Sequence, residues 1–219
     1  MTQQEITGPH QNQPIAAAGR PVGEADAAVV MVHGRGATAE SILELADEFG
    51  HPELAYVAPQ AAGYAWYPYS FLAPIPRNEP GLSSGLARLG EVLARLAAAG
   101  IPPERTMLLG FSQGACLSLE FAARNARRYG AVVGLSGGLI GPPGTLRDYP
   151  GDFGGTPVFL GCSDLDPHIP RERVDESAEV LRAMGAEVTA RIYPRMGHTV
   201  NEDELDFVRG LLAGLKPDQ

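Results

Sequence analysis

Long apolar runs, cysteine and clustered positive charge are what this sequence has least of. No window of its 219 residues approaches the roughly 18 consecutive apolar positions needed to span a bilayer, so no membrane span is expected. The opening segment MTQQEITGPHQNQP has neither the basic start nor the apolar run of a secretory signal, and the expected location is cytoplasmic. Cys116 and Cys162 are too few and too far apart for a disulfide framework or a zinc site, and both read as small buried hydrophobes. No histidine or carboxylate cluster has ligand spacing, which leaves no expected metal. Positive charge is sparse: 17 Lys and Arg stand against 26 Asp and Glu, for a net charge of -9, and two basic residues adjoin only at Arg127 and Arg128. Nucleic acid is therefore not an expected partner, because affinity for a phosphate backbone rests largely on Lys and Arg.

At 44% hydrophobic and 20% charged residues, the chain is long enough for one large core and short for two domains. Residues 1–25 are polar and rich in Gln, Pro and Gly, so they form a leader or at most a strand at a sheet edge; the regular fold is expected over 26–219. AAVVMVHG, from residue 27, reads as a strand buried on both faces, and TAESILELADEFG reads as a helix capped by Thr38. The alternation continues through about six strands and five helices. The fold class is α/β, with a mostly parallel sheet covered by helices on both faces, and its chemistry belongs in the loops after the strands.

Gly-x-Ser-x-Gly occurs twice, in GFSQGAC around Ser112 and in GLSGG around Ser136. A nucleophile elbow needs a buried strand, a tight turn bearing the serine, and then a helix. Ser112 sits between MLLGF and ACLSLEFAARNA, which supply both; Ser136 runs into GGLIGPPG, which cannot continue as a helix. A serine hydroxyl needs a base, and imidazole suits that task at neutral pH. His10 lies in the leader and His51 follows a helix end, whereas His198, in YPRMGH, follows the last strand at the carboxyl edge of the sheet. A carboxylate should orient that imidazole, in chain order between serine and histidine, and VFLGCSDLDPHIP offers Asp164 and Asp166. The glycine-rich HGRGA, after the first confident strand, presents backbone N–H groups for an oxyanion; the expected donors are the N–H groups of Arg35 and Gln113. His33 reads as a structural hydrogen-bonder.

HGRGA, GFSQGA, DLDPHIP and YPRMGH, in that order, resemble the phospholipase/carboxylesterase family of α/β-hydrolases, over about residue 26 to the C-terminus. The resemblance implies an α/β-hydrolase fold and a Ser112, Asp166 and His198 triad that hydrolyses carboxylic esters or thioesters without a cofactor. Asp164 is then left to bond the loop backbone. Arg35, where the thioesterase branch usually has an apolar residue, and the short aromatic segment AAGYAWYPYSFLAPIPRNEP are more similar to the bacterial carboxylesterase branch.

Residues 139–155 are too short for the helical cap that long-chain lipases carry there, so the site should be open to small or medium substrates. Trp66, Tyr67, Tyr69 and Phe71 are placed to form an acyl or aryl wall. Arg35 at the rim either is solvated or attracts an anionic part of the substrate, and His168 is a further candidate contact. The expected activity is that of a serine carboxylesterase acting on a small-molecule ester through an acyl-enzyme. The alternatives are an acyl-thioesterase or lysophospholipase-like hydrolase, and a hydrolase-fold binding protein without turnover. Oligomeric state is left open, a homodimer included.

Overall fold

The computed structural model describes residues 8–215; the first seven residues of the leader and the last four of the chain lie outside the described residues. Twelve regular elements alternate along the chain. They are β1 (Ile15–Gly19), β2 (Ala28–Val32), α1 (Ala39–Phe49), β3 (Ala55–Pro59), α2 (Gly81–Ala98), β4 (Thr106–Phe111), α3 (Gln113–Arg124), β5 (Ala131–Leu135), β6 (Pro157–Ser163), α4 (Arg171–Ala183), β7 (Glu187–Tyr193) and α5 (Glu202–Ala213). The seven strands form one sheet in the order β1-β3-β2-β4-β5-β6-β7, parallel except for β1, which pairs antiparallel with β3. This is an α/β-hydrolase fold.

The side-chain alternation of β2 shows why both faces must be covered. Val30 and Val32 enter one core with Leu89 of α2, Leu117 of α3 and Val174 of α4, whereas Val29 and Met31 enter a second with Ile42 of α1 and Val208 of α5. Successive side chains of a strand point to opposite faces, so an apolar run such as AVVMV is stable only with helices on both sides. Each fully buried Val or Leu here contributes about 1.5–3 kcal/mol relative to leaving it exposed. Thr38 caps α1, its hydroxyl accepting from the Ser41 N–H at 3.1 Å.

Beyond the six strands expected over 26–219, the leader supplies a seventh, Ile15–Gly19, at the sheet edge where the sequence allowed one; two helix ends differ from the apolar periodicity. Helix α2 starts at Gly81, ahead of the apolar periodicity, and α3 ends at Arg124, where Asn125 leaves helical geometry and the polar run that follows has no face to bury. His10 is also corrected: it is 1% exposed, not part of an unstructured leader. Its Nδ1 accepts from the Ala62 N–H at 3.0 Å and its Nε2 donates to the Trp66 carbonyl at 2.9 Å, while its own N–H donates to Ser84 Oγ. Burial lowers its pKa, consistent with this neutral tautomer.

No helix lies between β5 and β6, and no helix among the described residues is long and apolar enough to cross a membrane. The segment after Ser136 is held flat against the body instead of rising over it. Arg173 Nη1 donates to the carbonyls of Leu139 and Gly141, both at 2.8 Å, and Arg147 Nη1 donates to that of Ile140 at 2.6 Å. The buried Glu120 of α3 accepts from the Ile140 N–H and the Tyr149 hydroxyl and pairs with Arg124. Removing a partner of the buried Glu120 would leave its charge uncompensated, at a cost of up to about 3–5 kcal/mol.

Helix α5 carries a second buried carboxyl with a measurable consequence. Glu204 accepts from the Asn201 N–H at 2.9 Å, but its other oxygen is buried without a hydrogen bond, close against Gly161 where there is no Cβ. Burial, reinforced by the nearby Asp203, raises its pKa to about 7. The folded state therefore holds a proton that the unfolded chain has released, so this stability is complete below the ordinary carboxyl range and is lost as the pH rises through about 7. Glu204→Gln keeps the acceptor for Asn201 and removes the ionisation. Its unfolding free energy in urea should fall between pH 5 and pH 8 by about 2 kcal/mol less than wild type's; identical slopes in the two proteins would contradict this.

Candidate active site

The chain passes from β2 to β3 on one side and then returns to place β4 on the other side of β2, so the loops after β2 and β4 diverge from adjacent strands. A crevice opens at such a switch point. Ser112 lies there, between β4 and α3, with φ 55° and ψ -118°, a strained backbone for any residue but glycine. Two close approaches make this turn. A Cβ on Gly110 would overlap the Gly114 carbonyl, and one on Gly114 would overlap the Val32 carbonyl of β2. Glycine at both positions lets the strand, the helix and the neighbouring strand meet beneath the serine. Ser136 has the same turn, at φ 52°, but is fully buried and is followed by no helix. The pentapeptide encodes the turn in both places, and the surroundings decide which serine is reachable.

Ser112, His198 and Asp166 are brought together. His198 Nε2 lies 2.8 Å from Ser112 Oγ, and its Nδ1 lies 2.7 Å from Asp166 Oδ2. The Asp166 side chain is buried, and its Oδ1 accepts from the N–H groups of His168 at 2.8 Å and Ile169 at 3.0 Å. Burial works against its ionisation, but the hydrogen bonds from His198, His168 and Ile169 outweigh it and hold the carboxyl below its ordinary range. The resulting carboxylate keeps the imidazole proton on Nδ1, which frees Nε2 to accept one from Ser112. Asp164 lies outside this chain of bonds, its Oδ1 accepting from the Arg195 N–H at 2.7 Å and so tying the Asp166 loop to the His198 loop.

The other site residues divide into those at the pocket and those behind it. A pocket of about 620 Å³ opens over Ser112, with Arg35, Tyr67, Tyr69, Phe71, Gln113 and His168 on its walls. Trp66 is corrected: it is fully buried behind the wall, its Nε1 donating to the His33 carbonyl at 3.0 Å and its ring packed against His10 and His33. Its size and apolar surface put it in the core, while its N–H finds an internal acceptor. His33 is buried as well, with its Nε2 accepting from the Ala61 N–H, and burial lowers its pKa. Tyr67 lines the pocket but is only 2% exposed. Arg35 is exposed, yet it is not merely solvated: Nη1 donates to the Pro68 carbonyl at 2.9 Å and Nη2 to the Tyr69 carbonyl at 2.7 Å. Cys116 and Cys162 are buried free thiols, each pushed up to about 12 by burial.

Several side chains at the site were not singled out from sequence. Phe111, next to Ser112, faces the His198 ring at 5.1 Å between centroids, and the His168 ring meets that imidazole edge-on at 4.9 Å, so His198 is held between two rings. The aromatic wall is gripped by side chains along its backbone. Gln113 accepts from the Trp66 N–H and donates to the Tyr67 carbonyl, Arg35 takes the next two carbonyls, and Asn78 accepts from the Tyr69 N–H and donates to the Ser70 carbonyl. Nothing in the spacing of Gln113 and Asn78 relative to that loop reveals these pairings. Gln113 is also the first residue of α3, where N–H groups have no carbonyl one turn earlier to bond.

The sequence model of phospholipase/carboxylesterase proteins matches residues 13–215. The chain belongs to the phospholipase/carboxylesterase family. The match begins ahead of residue 26 and takes in β1, in keeping with that strand's place in the sheet. Among solved structures of the family, the phospholipase/carboxylesterase from Dyadobacter fermentans is 46% identical, with a TM-score of 0.89 over 93% of this chain and 97% of that one. Acyl-protein thioesterase 1 of Gibberella zeae is 39% identical over 121 residues, which are 54% of this chain and 51% of the relative, so that match spans about half of the relative's length. Acyl-protein thioesterase 1 of Neurospora crassa is 24% identical over 87% of each chain. The names of these relatives are those of enzymes acting on esters or thioesters.

Proposed function

We propose that this family member is a serine carboxylesterase that cleaves small or medium carboxylic esters through an acyl-enzyme. The observation that carries the reading is the unbroken chain of hydrogen bonds from Asp166 through His198 to Ser112 at the mouth of the pocket. His198 Nε2 takes the Ser112 proton as Oγ attacks the ester carbonyl. The backbone N–H groups of Gln113 and Arg35 receive the developing oxyanion, each such donor contributing about 10² to 10³ in rate. His198 then gives its proton to the leaving alcohol, and a water activated by the same imidazole releases the acid. The pocket volume lies in the range of small-molecule sites, and the absence of a helix between β5 and β6 leaves the mouth uncovered.

Acyl thioesters are the second reading, favoured by the names of the fungal relatives. A hydrolase-fold binding protein without turnover is the third, and a fluorophosphonate separates it from the other two. At neutral pH the reagent should form a covalent adduct on Ser112, located by peptide mass mapping; an unmodified Ser112 would leave the binding reading. An ester and a thioester carrying the same acyl chain then divide the first reading from the second by their kcat/KM.

A further inference from the structure

The pocket is lined by no carboxylate, in a protein with a net charge of -9. Histidines aside, Arg35 is the one charged side chain on its walls. Arg77 does not line the pocket itself; its guanidinium lies 4.3 Å from the centre of the ring of Tyr69, which does, so Tyr69 is held by one arginine through its carbonyl and by another through its ring. Both arginines are exposed, and neither makes an ion pair among the described residues. Glu79, two residues beyond Arg77, accepts from the N–H and hydroxyl of Ser83 and keeps its charge, but makes no ion pair with Arg77. Arg35 gives one N–H of each terminal nitrogen to a carbonyl, which leaves it further donors and its full charge.

From this geometry we infer that Arg35 and Arg77 form an anion-reading rim, and that the preferred substrates are esters carrying a carboxylate. The inference rests on the esterase reading above. A net negative protein repels anions at long range, but charges more than about 8 Å away are screened at physiological ionic strength. Within that range the Asp166 carboxylate is shielded behind His198, whereas the Arg35 guanidinium is exposed on the wall and the Arg77 guanidinium is exposed against the Tyr69 ring, so an anion approaching Tyr69 meets positive charge first. The carboxylate could belong to the acyl half, as in a half-ester of a dicarboxylic acid, or to the alcohol half, as in an acylated hydroxy acid. The half that points toward Tyr69 is the one that carries it.

Two matched pairs of esters test it. Mono-4-nitrophenyl adipate against 4-nitrophenyl methyl adipate varies charge on the acyl half, and 4-acetoxybenzoate against 4-acetoxybenzamide varies it on the alcohol half. In at least one pair, the ratio of kcat/KM for the charged over the neutral ester should be about five- to tenfold higher in wild type than in the Arg35→Ala, Arg77→Ala double variant. Raising the salt from 0.02 M to 0.5 M should bring the wild-type ratio down toward that of the variant. Because Arg35 also grips the wall, Arg35→Lys with Arg77→Lys is the control: it keeps both charges, gives up the two-pronged grip, and should retain most of the ratio while overall turnover falls. Arg77→Ala alone, which leaves every bond to the wall backbone in place, should lower the ratio by itself. Ratios within twofold of wild type in both pairs for the double alanine variant overturn the inference alone, provided that the neutral esters are hydrolysed. A wild-type protein that hydrolyses none of the four overturns the esterase reading and the inference with it.

Discussion

Ser112→Ala should lower kcat for ester hydrolysis by about 10⁶ while leaving the fold intact. The substitution deletes only Oγ. The Ser112 N–H still donates to the Leu135 carbonyl, the Cys116 N–H still donates to the carbonyl of residue 112, and alanine meets the same strain at φ 55° as serine does. The thermal midpoint should therefore stay near that of wild type. The proposed oxyanion donors are backbone groups and would also survive, so a residual rate of about 10³ over the reaction in water is expected to remain. Single-turnover measurements on a 4-nitrophenyl ester check this, and retention of more than a tenth of wild-type turnover would refute the assignment of the nucleophile.

Asp166→Asn should cost about 10⁴ in kcat, although it changes a single atom. The direction follows from which oxygen is already engaged. Oδ1 accepts from the N–H groups of His168 and Ile169, so the amide oxygen of an asparagine must take that position. Its NH2 group then replaces Oδ2 opposite His198 Nδ1, and a donor faces what was a donor. The imidazole responds by moving its proton to Nε2, where it points at Ser112 Oγ and removes the base. The matching change at Asp164 touches only the Arg195 N–H and should leave kcat within a few-fold of wild type. Equal losses at the two positions would show that the carboxylate acts through loop stability rather than through the tautomer.

How much of this could be read in advance varied with the range of the interaction concerned. The α/β class, the five helices and the six inner and distal strands follow from periodicity, because a strand buried on both faces and a helix with one apolar stripe leave different traces over a few residues. In the leader the edge strand was legible, but the burial of His10 was not. The burial of His10, polar in sequence, comes from partners 56 and 74 residues away, and Ile15–Gly19, only partly buried, is held at the sheet edge by pairing with β3. Trp66 failed for the related reason that a large aromatic in a loop after a strand serves a pocket wall and a core equally well until its neighbours are known.

The sequence by itself determined the elbow: glycines at 110 and 114 around Ser112, a buried strand before it and a helix after it are local requirements, satisfied by adjacent residues. Only the tertiary structure decided the bond lengths that join Asp166 to His198, that the aromatic wall hangs on Gln113, Arg35 and Asn78, and that two arginines without an ion-pair partner among the described residues meet at Tyr69. Those contacts join residues that are distant along the chain, through side-chain directions that periodicity does not carry. All but the Arg77–Tyr69 ring contact are hydrogen bonds of 2.7–2.9 Å, a scale at which a shift of one residue in a loop removes the bond altogether.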